Sequence, residues 1–208
     1  MTRTGSSSKP LLVLVTGLPG TGKSTVAAAA AEALGAAVLA HDWAMSGLRP
    51  YPGLQAALDA MAPSGHREVG WSVLAALARA QLRRGSSVVL DGVARRAEVE
   101  QCRGLATEEG ASSVVVLTRC SDLAVHRSRI DGRARGIPNW YELDWSHVER
   151  AIASWDSPTD VDLELDAIRP LGENLELLRD GALRNWDLRA SELTKGKAVP
   201  LRRPPKLA

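Results

Sequence analysis

Gly17-Leu18-Pro19-Gly20-Thr21-Gly22-Lys23-Ser24 has the spacing G-x-x-x-x-G-K-[ST], in which the glycines let successive backbone N–H groups turn into one concavity. Before it runs Leu11-Leu12-Val13-Leu14-Val15, an uncharged apolar stretch that reads as a strand buried on both faces of a parallel sheet. After it, Thr25, Val26, the alanines 27–31, Glu32, Ala33 and Leu34 form a helical run, and Gly35 supplies the stop. This order sets a helix N-terminus against the hollow and adds its partial positive charge to the amides. The expected occupant is an anion.

Working outward, the strand pattern repeats. Ala37-Val38-Leu39-Ala40 closes on His41 and Asp42, Ser87-Val88-Val89-Leu90 ends in Asp91-Gly92, and Ser113-Val114-Val115-Val116-Leu117 forms a fourth run. Val161, Leu163 and Leu165 alternate with Asp162 and Glu164, which describes a fifth strand at a sheet edge. Helices are expected between them. Gly70, Val73, Leu74 and Leu77 mark the buried face of a helix over 68–84, and Val99, Cys102 and Ala106 that of a helix over 95–109. Ser121 or Asp122 caps a helix carrying Arg127, Arg129, Arg133 and Arg135 until Gly136-Ile137-Pro138 breaks it. Ser146-His147-Val148-Glu149 reads as a capping box for a helix that buries Val148, Ile152 and Trp155, and residues 173–180 read as a last helix. Residues 47–66, rich in Gly and Pro, read as irregular. Alternating strands and helices imply right-handed crossovers and a three-layer α/β/α sandwich around a five-stranded parallel sheet.

The chain has 208 residues, 45% of them hydrophobic, enough for one α/β domain over residues 10–185. Residues 1–9 are expected to be disordered, and 186–208 to form an extension with a basic, proline-rich tail. A net charge of +2 gives no general reason to expect a polyanionic partner. Neither a signal peptide nor a membrane span is expected, so the sequence reads as cytoplasmic. Cys102 and Cys120 read as reduced and structural, and the four histidines show no i, i+4 pair, which argues against bound zinc.

The loop with its flanks, the Val89-Leu90-Asp91-Gly92 strand end, and the arginine segment running to Pro138-Asn139-Trp140-Tyr141-Glu142-Leu143 together resemble the small P-loop kinases. That group includes chloramphenicol phosphotransferase, polynucleotide kinase, gluconate kinase and the nucleoside monophosphate kinases. The resemblance implies a P-loop nucleoside triphosphate hydrolase fold with an arginine-rich helical lid at about 122–146. It implies that Gly17, Leu18, Pro19, Gly20, Thr21, Gly22, Lys23, Ser24 and Thr25 bind ATP, with Lys23 on the β- and γ-phosphates and Ser24 on a magnesium ion. Asp91 stands where an acidic residue assists that magnesium, and Gly92 stands where motor-type ATPases carry a glutamate. In the same group the lid brings arginines to the transferring phosphate, here Arg129 and Arg133, whose spacing puts them on one helical face.

Several positions carry two readings. Asp42 is either the group that deprotonates or aligns an acceptor hydroxyl, as in related kinases, or the N-cap of a helix starting at Trp43. His41 competes with it as a base. Asp91 could equally cap the helix after residue 94. Trp140 and Tyr141 are the aromatic pair suited to covering a flat ligand, while most of the other tryptophans read as core. Adenine is expected between the lid base and the loop holding Arg169 and Pro170. The expected activity is transfer of the γ-phosphate of Mg-ATP to a hydroxyl of a small molecule, such as a nucleoside, sugar or antibiotic. The alternatives are a polynucleotide 5′-hydroxyl kinase and a non-catalytic ATP-gated binding protein.

Overall fold

The computed structural model describes residues 9–61 and 64–183. Residues 1–8, Pro63, Trp186 and the basic tail lie outside the described residues. Five strands form one parallel sheet: β1 (Leu11–Gly17), β2 (Ala37–Ala40), β3 (Val88–Asp91), β4 (Ser112–Arg119) and β5 (Leu163–Asp166). Their order is β2-β3-β1-β4-β5, so the most apolar strand is central and the alternating β5 is an edge, as its sequence predicts.

Period-two alternation along β1 divides the core in two. Leu11, Val13 and Val15 pack with α1 (Lys23–Leu34) and with Leu178 and Leu183, whereas Leu12 and Leu14 face α4 (Gly65–Arg83) and α5 (Arg96–Glu108). All five side chains are fully buried, and each such aliphatic group contributes about 2 kcal/mol by leaving water. Helices on both faces complete the expected three layers.

Some local readings give way. After α2 (His41–Ser46), the stretch 47–66 holds a nine-residue helix, α3 (Pro52–Ala60), because Pro52 occupies a first-turn position where its missing N–H costs nothing. The α4 helix buries Gly70, Trp71, Leu74, Ala78 and Leu82, while Leu77 is exposed. The arginine segment is the largest correction. Helix α6 (Leu123–Ser128), capped by Asp122, has only six residues, and Gly132 in a left-handed conformation (φ 71) ends the turns that follow. Arg129, Arg133 and Arg135 therefore lie on an irregular strap, and Arg129 and Arg133 share no helical face.

Helix α7 (Trp145–Ser154) is capped by Asp144, whose carboxylate accepts from His147 N at 3.0 Å. It thus starts before Ser146. Ile152 is exposed, and Trp155 lies past the helix end, where its indole N–H donates to Ala94 O at 2.9 Å. The described residues end with α8 (Leu171–Glu176) and a π-helical segment, Leu177–Leu183. Cys102 is buried in the core, and its thiol is pushed up to about 12, mainly by that burial.

The tip of β1 fixes the glycine loop. Gly17 has φ 143, and a Cβ there would lie 2.1 Å from the carbonyl oxygen of Thr118 on β4. Gly17→Ala combines backbone strain with a main-chain collision, so a thermal or urea melt should lose about 3 kcal/mol or more. A near-wild-type melt would contradict this close approach.

Candidate functional site

Three contacts from distant segments hold the loop. Thr118 Oγ1 and Thr21 Oγ1 lie 2.7 Å apart, and Thr118 Oγ1 also donates to Thr16 O at 3.1 Å. His126 on α6 donates from Nε2 to Pro19 O at 2.7 Å. This imidazole is buried edge-on against Trp145, and Ile130 beside it approaches Gly20 so closely that a Cβ there would lie 2.8 Å from Ile130 Cδ1. The root of the strap and the loop are thereby packed together. Neither Thr118 nor His126 carries a sequence signal, because their partners lie about a hundred residues away in the chain.

The loop opens into a hollow of about 870 Å³. Its walls include Pro19, Gly20, Gly22, Lys23, Ser24 and Thr25 from the loop, Asp42 and Asp91 from the strand ends, and Arg129, Arg133 and Arg135 from the strap. The predicted residues are therefore brought together at the C-terminal edge of the sheet, where open parallel sheets place ligands. Gly17, Leu18 and Thr21 instead shape the loop: Gly17 and Thr21 are buried, and Leu18 O accepts from Lys23 Nζ at 2.8 Å.

Burial lowers the Lys23 ammonium from its ordinary value, against the opposing charges of Asp91 and Asp42. Burial likewise raises the Asp91 carboxyl, against Lys23 and a hydrogen bond from Ser24. Asp91 is no helix cap, since α5 is capped by Arg95 with Glu98. Among the described residues no cluster of three His, Cys, Asp or Glu side chains could enclose a metal. Ser24 and Asp91 are instead paired hard-oxygen donors in the hollow, a donor set that fits magnesium, which takes few protein ligands and shares the rest with phosphates and water.

Asp42 is likewise not a cap. Ala40 precedes the first turn of α2, which leaves the Asp42 carboxylate facing the hollow. Arg135 Nη1 donates to Asp42 Oδ2 at 2.5 Å, and the same guanidinium reaches Glu142 and the carbonyl oxygen of Tyr141. His41 Nδ1 lies 3.6 Å from Asp42 Oδ1. Burial opposes ionisation of Asp42, but His41 and Arg135 outweigh it and hold the carboxyl below its ordinary value.

The other arginines separate. Arg129 Nη2 donates to Ala167 O at 2.7 Å, joining the strap to the loop after β5, and Arg127 lies over the Trp145 ring. The Arg133 guanidinium has no hydrogen-bond partner among the described residues, and its charge acts on Lys23 and Asp91. Trp140 and Tyr141 pack on each other under Arg49, outside the hollow's lining. The tryptophan in the hollow is Trp43, 56% exposed, against the expectation of core. Arg169 borders a separate, smaller hollow near the C-terminal helices.

The sequence profile of the AAA domain family matches residues 12–158, from the central strand to beyond α7. The chain belongs to the AAA domain family. A comparison with curated proteins found no match. Among solved structures it is similar to a gluconokinase from Sinorhizobium meliloti (20% identity, TM-score 0.60, covering 92% of this chain and 99% of that one). It is also similar to the Mycobacterium tuberculosis APS kinase CysC in complex with AMPPNP and APS (23% identity, TM-score 0.56, covering 83% and 96%). A third similar structure is Chaetomium thermophilum Kti12 in complex with ADP-AlF3 (18% identity, TM-score 0.58, covering 83% and 98%). These likenesses establish the small P-loop kinase-like fold. No described helix is long and apolar enough to cross a membrane.

Because the Asp42 carboxyl is held down partly by Arg135, Arg135→Met should raise its pKa toward the ordinary aspartate range. Part of the pair's stabilisation, present above that range and lost as pH falls through the depressed pKa, disappears with it. An NMR titration of the Asp42 carboxyl carbon reads this directly. An unchanged midpoint would contradict the pairing.

Proposed function

We propose that this protein moves the γ-phosphate of Mg-ATP to a hydroxyl group of a small molecule. The observation that carries the reading is the convergence of Lys23, Asp91 and Asp42 on one continuous hollow. A site built only to grip a nucleotide has no need of a second carboxylate aimed at the space beyond the phosphates.

In this reading the loop amides and the N-terminus of α1 hold the phosphates, and Lys23 exchanges Leu18 O for a phosphate oxygen. Magnesium, held by Ser24 and Asp91, would neutralise phosphate charge. Asp42 accepts a hydrogen bond from the acceptor hydroxyl and so aims its oxygen at the γ-phosphorus. As the new P–O bond forms, the bond to the β–γ bridging oxygen breaks, ADP departs, and the hydroxyl proton passes to the Asp42 side. A depressed carboxyl is a weak base, so its main contribution is alignment, with proton uptake late in a loose transition state. Arg133, unpaired and electrostatically coupled to Lys23, is placed to meet the charge on the transferring group. Arg129 acts at one remove, by tethering the strap to the loop where adenine would sit.

A nucleic-acid end is a weaker acceptor candidate. Arg127, Arg129 and Arg135 are spent on internal contacts, which leaves little of the strap's charge for a phosphate backbone.

The test is incubation with labelled ATP and pooled hydroxyl compounds, followed by Asp42→Asn on the acceptor found. Transfer should fall about a hundredfold or more with ATP affinity kept. Transfer at the wild-type rate would remove Asp42 from the reaction, and ATP binding without any labelled acceptor would favour a gated binding protein.

A further inference from the structure

The hollow is asymmetric on the two sides of the loop. On the β2–β3 side it is walled by Val38 and Ala40 of β2, Trp43 of α2, Val93 after β3, and Ile137 and Leu143 of the strap. Trp43 is 56% exposed and Val38 is 39% exposed, although both line a concavity. Large apolar groups left open in a cleft mark a ligand surface. An indole face favours a flat partner.

The charges on this side are already used. Arg135 divides its guanidinium between Asp42, Glu142 and the Tyr141 carbonyl, and its side chain is only 9% exposed. Arg49 lies over Trp140 and Tyr141, donates to Gln55, and does not line the hollow. Arg133 and Lys23 belong to the phosphate side. His41 packs on Trp71 and turns its Nε2 toward Gly70, away from the cavity. A carboxylate or phosphate on the acceptor would be desolvated here next to Asp42, and among the described residues no cation on this wall is free to pair with it.

We infer that the acceptor is an uncharged alcohol with a flat, apolar ring, which stacks on Trp43 and presents its hydroxyl to Asp42. This rests on the phosphotransferase reading for the role of the hydroxyl, and on the wall alone for the ring and the missing charge. Trp43 thus sets specificity by touching the acceptor body.

Binding tests it apart from catalysis. With the nucleotide half filled by a non-hydrolysable ATP analogue and magnesium, two matched pairs are titrated by saturation-transfer NMR. One pair is benzyl alcohol and 4-(hydroxymethyl)benzoate, the other phenoxyethanol and its ring-carboxylated counterpart. The neutral member of each pair should bind about tenfold tighter than its charged partner, with saturation strongest on the ring protons. Trp43→Ala, at a position too exposed to support the core, should weaken the neutral probes about two- to tenfold and leave the affinity for the analogue unchanged. Charged probes that bind as well as neutral ones, neutral probes that give no signal, or indifference to Trp43→Ala would each overturn the inference. Failure of the phosphotransferase reading shows separately, as absence of label transfer while this binding pattern stands.

Discussion

The structure depends on the contact between the end of β1 and the end of β4. There the Gly17 Cα lies so close to the Thr118 carbonyl that no side chain fits, and the two threonine hydroxyls at 21 and 118 meet at 2.7 Å. That contact fixes where the chain leaves the sheet and turns into α1, and so where the loop amides point. From the other side, His126 holds Pro19 O and Ile130 fills the space over Gly20. A loop braced this way can keep its N–H groups directed at an anion before the anion arrives, which is the preorganisation that phosphate binding needs.

Sheet order does the rest. With β3 and β2 on one side of β1, and β4 and β5 on the other, Asp91 and Asp42 are delivered to one flank of the loop and the strap root to the opposite flank. The strap then crosses the hollow, and Arg135 binds the carboxylate at the far end. The hollow is thus spanned by an ion pair that both orients Asp42 and occupies the Arg135 guanidinium.

The fold was legible because its signals are local. Four continuous apolar runs and one alternating run, with helix-forming residues between them, point to strands and crossovers without reference to distant contacts. The strap was not legible in the same way. Four arginines, two of them four residues apart, imitate a helix, yet Gly132 interrupts it, and the decisive partners are remote: Arg135 meets Asp42 across 93 positions and His126 meets Pro19 across 107. The lone hydrophobic signal of Trp43 could not separate core from cavity wall, because an indole at a strand end suits either. Asp42 followed the opposite course. Its proximity to the strand tip pointed to the hollow, and only the helix start at His41 removed the capping alternative.

In the proposed function this braced loop grips a nucleoside triphosphate. Isothermal titration calorimetry of the folded protein with ATP and magnesium tests it most directly. A saturable one-to-one heat, abolished in Lys23→Ala, is the predicted result. A folded wild-type protein that releases or takes up no heat with Mg-ATP would contradict it.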